Sequence, residues 1–217
     1  MTIVIKAILF DMDGVLIDSK RANRIFYQNL LEHFGYKRPA AKIVDALFGL
    51  TLSDAIRVLV KGAPESKLKK IYAVSLGDEI AYPYDLVKPT DKEEGKMLRT
   101  LSKVYSLGIV TNRDNIDLKY AASFLKLDLF RVIITAEDFS RPKPDPEPLL
   151  LAAKRLGAEP NECVYIGDLE TDMKAAEAAS MGFILYSKKP AGYAAAKARS
   201  FTDILKLVQR WQQHRKI

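Results

Sequence analysis

Four groups of polar residues in this chain have the types and spacing to do chemistry together: Asp11 with Asp13, Thr111 with Asn112, Lys143, and Asp168 with Asp172. Each follows a short apolar run or stands in the loop after one. Taken singly, each has an ordinary reading. Asp11 to Gly14 suits an acidic turn, Thr111, Asn112 or Asp168 a helix cap, and Lys143 a solvated loop. Brought to one place, they mean something else. Three or four gathered carboxylates repel one another unless a cation neutralises them. With no His or Cys clustered among them, Asp11, Asp13, Asp168 and Asp172 form an oxygen-only set suited to a hard ion, and Mg²⁺ is the expected one. Such an ion screens a carboxylate nucleophile from an approaching phosphate dianion and polarises a phosphoryl oxygen. The Thr111 hydroxyl and Lys143 ammonium suit the other oxygens. Backbone N–H groups near Gly14 and after Asn112 add donors. The chemistry that uses all of these parts is phosphoryl transfer.

The elements that must position them follow from hydrophobic pattern. Ala7–Phe10 is a continuous apolar run, the mark of a strand buried on both faces. Helical signals then continue without a strand. Ala22, Ile25, Phe26, Leu30 and Phe34 form one stripe after Asp18 and Ser19. Leu52, Ile56, Leu59 and Val60 form a second, capped at Thr51 or Ser53, and Leu68, Ile71, Tyr72 and Leu76 a third after Pro64. From Thr90 onward the pattern alternates. A helix with Met97, Leu98 and Leu101 precedes the strand LGIVTN, and a helix opened by Asp114 with Leu118, Ala121 and Leu125 follows it. Then come the strand VIITA, the loop SRPKPDP and a helix, the strand VYIGD with a helix from Thr171 to Met181, and the strand FILYS with a last helix. Short apolar strands alternating with amphipathic helices predict an α/β fold, a parallel Rossmann-like sheet with helices on both faces. Residues 1–16 and 88–217 are expected to form this core, and residues 17–87 a small all-helical insert after the first strand. Its connections lie at Ile17 to Ser19 and Pro83 to Pro89. In a parallel sheet the loops at the carboxyl ends of the strands emerge on one edge, so the four groups converge there.

DMDGVL, the VTN ending at Asn112, RPKPDP around Lys143 and GDLETD at Gly167 to Asp172 resemble, in order and spacing, the four motifs of the haloacid dehalogenase-like hydrolase superfamily. The resemblance spans the whole chain. The helical insert resembles the mobile cap of the phosphoglycolate phosphatase and β-phosphoglucomutase-like branch. The short stretch between Lys143 and Gly167 leaves no room for the larger cap that other branches place there. This resemblance implies that Asp11 is the nucleophile forming a phosphoaspartyl intermediate and Asp13 the general acid and then base. Spacing alone does not separate those two roles. It also implies that Thr111 and Lys143 hold the phosphoryl oxygens, that Asp13 lends a backbone carbonyl to Mg²⁺, that Asp168 ligates it, and that Asp172 supports that shell. Asp13 argues against dehalogenation, since dehalogenases of the superfamily lack the second aspartate. The implied activity is hydrolysis of a phosphoglycolate- or sugar-phosphate-type monoester. A sugar phosphomutase shares all four motifs and is the alternative. On the insert, Arg57 lies one helical turn past the loop FGLTLSD, where it could reach a substrate anion or lie in solvent.

Composition narrows the rest. With 34 Lys and Arg against 27 Asp and Glu the net charge is +7, but the basic residues are scattered among acids. A nucleic-acid-binding protein on a degenerate hydrolase fold is therefore the lesser alternative, and the expected partner is a small phosphorylated metabolite, without nucleic acid or membrane. No apolar run is long enough to span a bilayer and no signal pattern opens the chain. A single cysteine, Cys163, suits a buried small side chain and a reducing, cytoplasmic setting. A monomer or homodimer is expected.

Overall fold

The structure, a computed structural model, describes residues 4–114, 125–188, 194 and 196–214. The helix expected after Asp114 falls largely outside them. The chain runs β1 (Ala7–Phe10), β2 (Ile17–Asp18), α1 (Lys20–His33), α2 (Ala41–Asp45), α3 (Leu52–Leu59), α4 (Glu65–Ser75), β3 (Lys88–Pro89), α5 (Glu94–Leu101), β4 (Ser106–Val110) and β5 (Phe130–Ile134). It continues through α6 (Glu147–Leu156), β6 (Cys163–Gly167), α7 (Glu170–Ala178), β7 (Gly182–Tyr186), β8 (Lys197–Ala198) and α8 (Phe201–His214).

Six strands form one sheet in the order β5-β4-β1-β6-β7-β8, each neighbouring pair parallel. The apolar run of β1 has a direct cause. Ile8 and Phe10 point to one face, packing with Leu98 and Leu101 of α5 and Phe201, Ile204 and Val208 of α8. Ala7 and Leu9 point to the other, with Leu149, Ala152 and Ala153 of α6 and Ala175 and Ala176 of α7. A strand covered on both faces has no solvent side to alternate with. Phe10 stacks on Phe201 with centroids 6.1 Å apart, and burying one such side chain is worth about 1.5–3 kcal/mol.

Between β1 and β3, α1, α3 and α4 pack around their own apolar cluster of Phe26, Leu30, Leu31, Ile56, Val60 and Ile71. The stripes read from the sequence supply these residues except Leu31. The two chain passages between this helical block and the sheet pair as a short antiparallel ribbon, Ile17 with Pro89 and Asp18 with Lys88. Thr90 extends the tie, its N–H donating to the Leu16 carbonyl at 3.2 Å and its hydroxyl to the Val15 carbonyl. A ribbon of two-residue strands has no periodicity to read, and the sequence did not reveal it.

Some ends differ from expectation. The helix after β6 runs Glu170–Ala178 rather than from Thr171 to Met181. Thr51 caps α3, accepting from the Asp54 N–H at 3.2 Å. Ser19 precedes α1 but makes no cap bond; its hydroxyl donates to Asp13 Oδ1 instead.

Candidate active site

β1 lies between β4 and β6, so the carboxyl ends of three adjacent strands meet at the centre of the sheet edge. With strands about 4.8 Å apart, residues just past those ends are within reach of one another. Asp11 keeps ladder register for one further residue, its N–H donating to the Ile166 carbonyl at 2.8 Å. Its carboxylate then accepts from Lys143 Nζ at 2.9 Å. The same ammonium donates to Asp172 Oδ1 and to the Tyr165 hydroxyl, each at 2.8 Å. These groups are buried, with side-chain exposures of 4% for Lys143 and 1% for Asp172.

Asp172, in the first turn of α7, has both oxygens engaged. Oδ1 also accepts from the Tyr165 hydroxyl at 3.2 Å, and Oδ2 accepts the N–H groups of Asp168 and Leu169 at 3.1 and 3.0 Å. It orients Lys143 and shapes the loop that carries Asp168. Two glycines permit this crowding. A Cβ on Gly14, whose φ is +80°, would lie 2.2 Å from Asp168 Oδ2, and one on Gly167 would lie 2.3 Å from the Asp172 Cβ.

Carboxylate oxygens of Asp11, Asp168 and Asp172 come within 4.8 Å of one another. Asp168 Oδ1 is buried and has no hydrogen-bond partner among the described residues. Burial, then the charges of Asp11 and Asp172, push its carboxyl well above the ordinary range. Burial pushes Asp11 up to about 7, with Lys143 opposing and Asp172 and Asp13 adding to the rise. Burial alone would lower the Lys143 ammonium, but Asp11 and Asp172 outweigh it and raise it. Carboxyls driven upward by burial and by each other, with an orphaned buried oxygen among them, fit a hard divalent cation.

Asp13 is placed differently. Its oxygens accept from Arg113, Nε to Oδ2 at 2.5 Å and Nη2 to Oδ1 at 2.9 Å, and from the Ser19 hydroxyl. It lines a cavity of about 530 Å³ together with Asp11, Thr111, Asn112 and Lys143, and the helical block forms the opposite wall. Thr111 is buried at this wall and its Oγ1 accepts from the Arg113 N–H at 3.2 Å. Asn112 Nδ2 donates to the Gly49 carbonyl at 2.7 Å, a bond from the sheet edge to the helical block.

Two of the expected residues make contacts outside the cavity. Arg57 does not line the cavity; its guanidinium meets Glu65 at 3.0 and 2.9 Å on an exposed face, where α3 and α4 flank a separate small pocket. Of the N–H groups near Gly14, its own donates to the Ile17 carbonyl at 2.7 Å, and the glycine makes room for Asp168. Four residues of the site went unread in the sequence: Arg113, Tyr165, Asn23 and Tyr82. Arg113 directly follows the strand-end Thr111 and Asn112, which was the available signal. Tyr165 is hidden inside an apolar strand.

Residues 8–186 match the family model of haloacid dehalogenase-like hydrolases. Pyrophosphatase PpaX of Bacillus velezensis is 31% identical over 176 residues, 79% of this chain and 78% of the relative. Phosphoglycolate phosphatase of Neisseria meningitidis is 28% identical over 184 residues, 81% and 77% of the two chains. The crystal structure of a Bacteroides fragilis protein described as a haloacid dehalogenase-like hydrolase superposes with a TM-score of 0.82 at 25% identity, covering 92% of this chain and 99% of that one. The parallel sheet with helices on both faces is a Rossmann-like core, and the acidic, lysine-clamped cluster lies at its edge. The chain belongs to the haloacid dehalogenase-like hydrolase family. Among its described residues no helix is long and apolar enough to cross a membrane.

Proposed function

We propose that this chain is a Mg²⁺-dependent phosphatase that hydrolyses a small phosphate monoester through a phosphoaspartyl intermediate on Asp11. The observation that carries the reading is the Lys143 clamp on Asp11, beside the orphaned oxygen of Asp168 and open to the cavity. Lys143 fixes the direction of the Asp11 carboxylate. The free carboxylate oxygen attacks phosphorus as the bond to the leaving alcohol oxygen breaks, and Asp13 in its acid form gives that oxygen a proton. Asp13 then takes a proton from the water that attacks the phosphoaspartate, which releases phosphate and restores Asp11. Thr111 and Lys143 face the phosphoryl oxygens through both steps. Mg²⁺, held by Asp11 and Asp168 with the Asp13 backbone, would offset the negative charge shared by nucleophile and phosphate. Residues 17–87 act in this scheme as a cap that closes over the cavity and excludes water, bending at Ile17 to Ser19 and Pro83 to Pro89.

The test is phosphate release from a panel of monoesters and pyrophosphate, with Mg²⁺ and again with a chelator. Release that requires Mg²⁺ is the expected result. Interconversion of a sugar phosphate primed by a bisphosphate, with no release, would replace the phosphatase by a mutase.

A further inference from the structure

The two ends of the cavity differ in kind. At the sheet edge it is charged, lined by Asp11, Asp13, Arg113 and Lys143, the end that takes the phosphoryl group in the proposed mechanism. The helical block answers with Phe26, Tyr27, Phe48, Leu50, Tyr82 and Tyr84, a wall dominated by rings and aliphatic carbon. Leu50 stays 42% exposed there although it is a large apolar side chain. Lys20 stacks on the Phe48 ring at 5.0 Å but is not itself part of the lining.

Charge sharpens the contrast. Among the described residues the cations lining the cavity are Lys143 and Arg113. Lys143 is bonded to Asp11 and Asp172, and Arg113 to Asp13. Each already balances carboxylates of the site. Asp78 and Asp114 add two further carboxyl side chains to the walls. Among the described residues, a second anionic group on the substrate would therefore meet apolar surface, acids and cations that already hold carboxylates, with little to replace its water. An aromatic ring would meet other rings and bury its faces. At about 530 Å³ the cavity is sized for such a body and falls within the range of roughly 300–1,000 Å³ that houses drug-sized ligands.

We infer that the substrate is a phosphate monoester whose alcohol carries an aromatic ring and no second anionic group. This rests on the phosphatase reading above, and deepens it by assigning the leaving group.

The test compares kcat/KM for phenyl phosphate and a nucleoside 5′-monophosphate with that for phosphoglycolate and pyrophosphate, all with Mg²⁺. One or both aromatic esters should lead by about tenfold or more, the scale on which an apolar pocket discriminates; which one leads tells a simple aryl group from a nucleoside. Leu50→Lys, at an exposed position that does not threaten folding, should narrow that preference severalfold in favour of phosphoglycolate. Phosphoglycolate or pyrophosphate turned over as well as the aromatic esters would overturn this inference and leave the phosphatase standing. Release from none would overturn the phosphatase itself. Calorimetric titration of Asp11→Asn with phenyl phosphate and with phosphoglycolate then judges the cavity independently of turnover. Tighter binding of phenyl phosphate supports the inference; equal or weaker binding, or none, overturns it.

Discussion

Arg113 holds Asp13 at both carboxylate oxygens, at 2.5 and 2.9 Å, and with the same Nη2 reaches the Tyr82 hydroxyl at 2.9 Å and Asn23 Oδ1 at 3.1 Å. One guanidinium thus joins the candidate acid to α1 and to the segment before β3. Both members of the ion pair are largely buried, with side-chain exposures of 12% and 15%. Arg113→Ala is expected to cost about 2–3 kcal/mol, because Asp13 loses a charge-assisted fork in a poorly solvated place. Arg113→Lys should recover less than half, since an ammonium cannot span both oxygens and still reach Tyr82 and Asn23. Denaturant midpoints at fixed ionic strength measure this. Equal stability of the Ala and wild-type proteins would mean the contact contributes nothing.

Asp11 and Asp13 stand two residues apart but in different surroundings, one clamped by Lys143 and one by Arg113. The proposed roles predict different losses. Asp11→Asn removes the nucleophile and should lower turnover by at least about 10⁴-fold, as loss of a covalent nucleophile does elsewhere. Asp13→Asn removes proton transfer and should cost roughly 10²–10⁴-fold. Steady-state rates on the best ester of the panel decide this, and wild-type turnover by Asp11→Asn would end the phosphoaspartyl mechanism.

The clustered carboxyls of Asp11, Asp168 and Asp172 predict that Mg²⁺ stabilises the fold in the absence of any substrate. At a hundredfold excess over its dissociation constant, an ion that binds only the folded state adds about 2.7 kcal/mol. Asp168→Asn should be at least as stable as the wild type without metal, because the amide cannot ionise and so escapes the cost of burial and the repulsion by Asp11 and Asp172. It should gain little when Mg²⁺ is added. Thermal unfolding with and without the ion tests both points, and an equal Mg²⁺ response in the two proteins would remove Asp168 from the ligand set.

What the sequence made legible is what strand topology decides. Asp11, Thr111 and Asp168 each directly follow a continuous apolar run, and parallel pairing leaves such ends on one edge whatever the rest of the chain does. Residues whose role depends on where a side chain turns were not legible. Arg57 sits at a plausible helical spacing, but α3 turns it toward Glu65. Tyr165 reads as one more apolar strand residue, and its hydroxyl is needed only because Lys143 and Asp172 are buried beside it. Gly14 reads as a phosphate-loop glycine, while its actual constraint is the approach of Asp168, more than a hundred and fifty positions away. Periodicity reports which face of an element is apolar. It does not report what the polar face will meet.

Glu94 opens α5 yet is only 3% exposed, and its Oε2 has no hydrogen-bond partner among the described residues. A helix N-terminus favours the anion, but burial outweighs it and, with the Asp91 charge adding, pushes the carboxyl up to about 8 from an ordinary 4.5. The folded state therefore holds this proton more tightly than the unfolded chain does. The resulting stability is fully present below about pH 4.5, declines as pH rises from there, and is lost by about pH 8. Glu94→Gln keeps the shape and removes the ionisation. Relative to the wild type, its stability should rise steadily across that window by a few kcal/mol in all, and run parallel to it outside. Any fixed cost of the amide shifts the whole difference without changing its slope. Urea unfolding of both proteins between pH 4 and pH 9 measures the difference, and a pH-independent one would show that Glu94 is not held protonated in the fold.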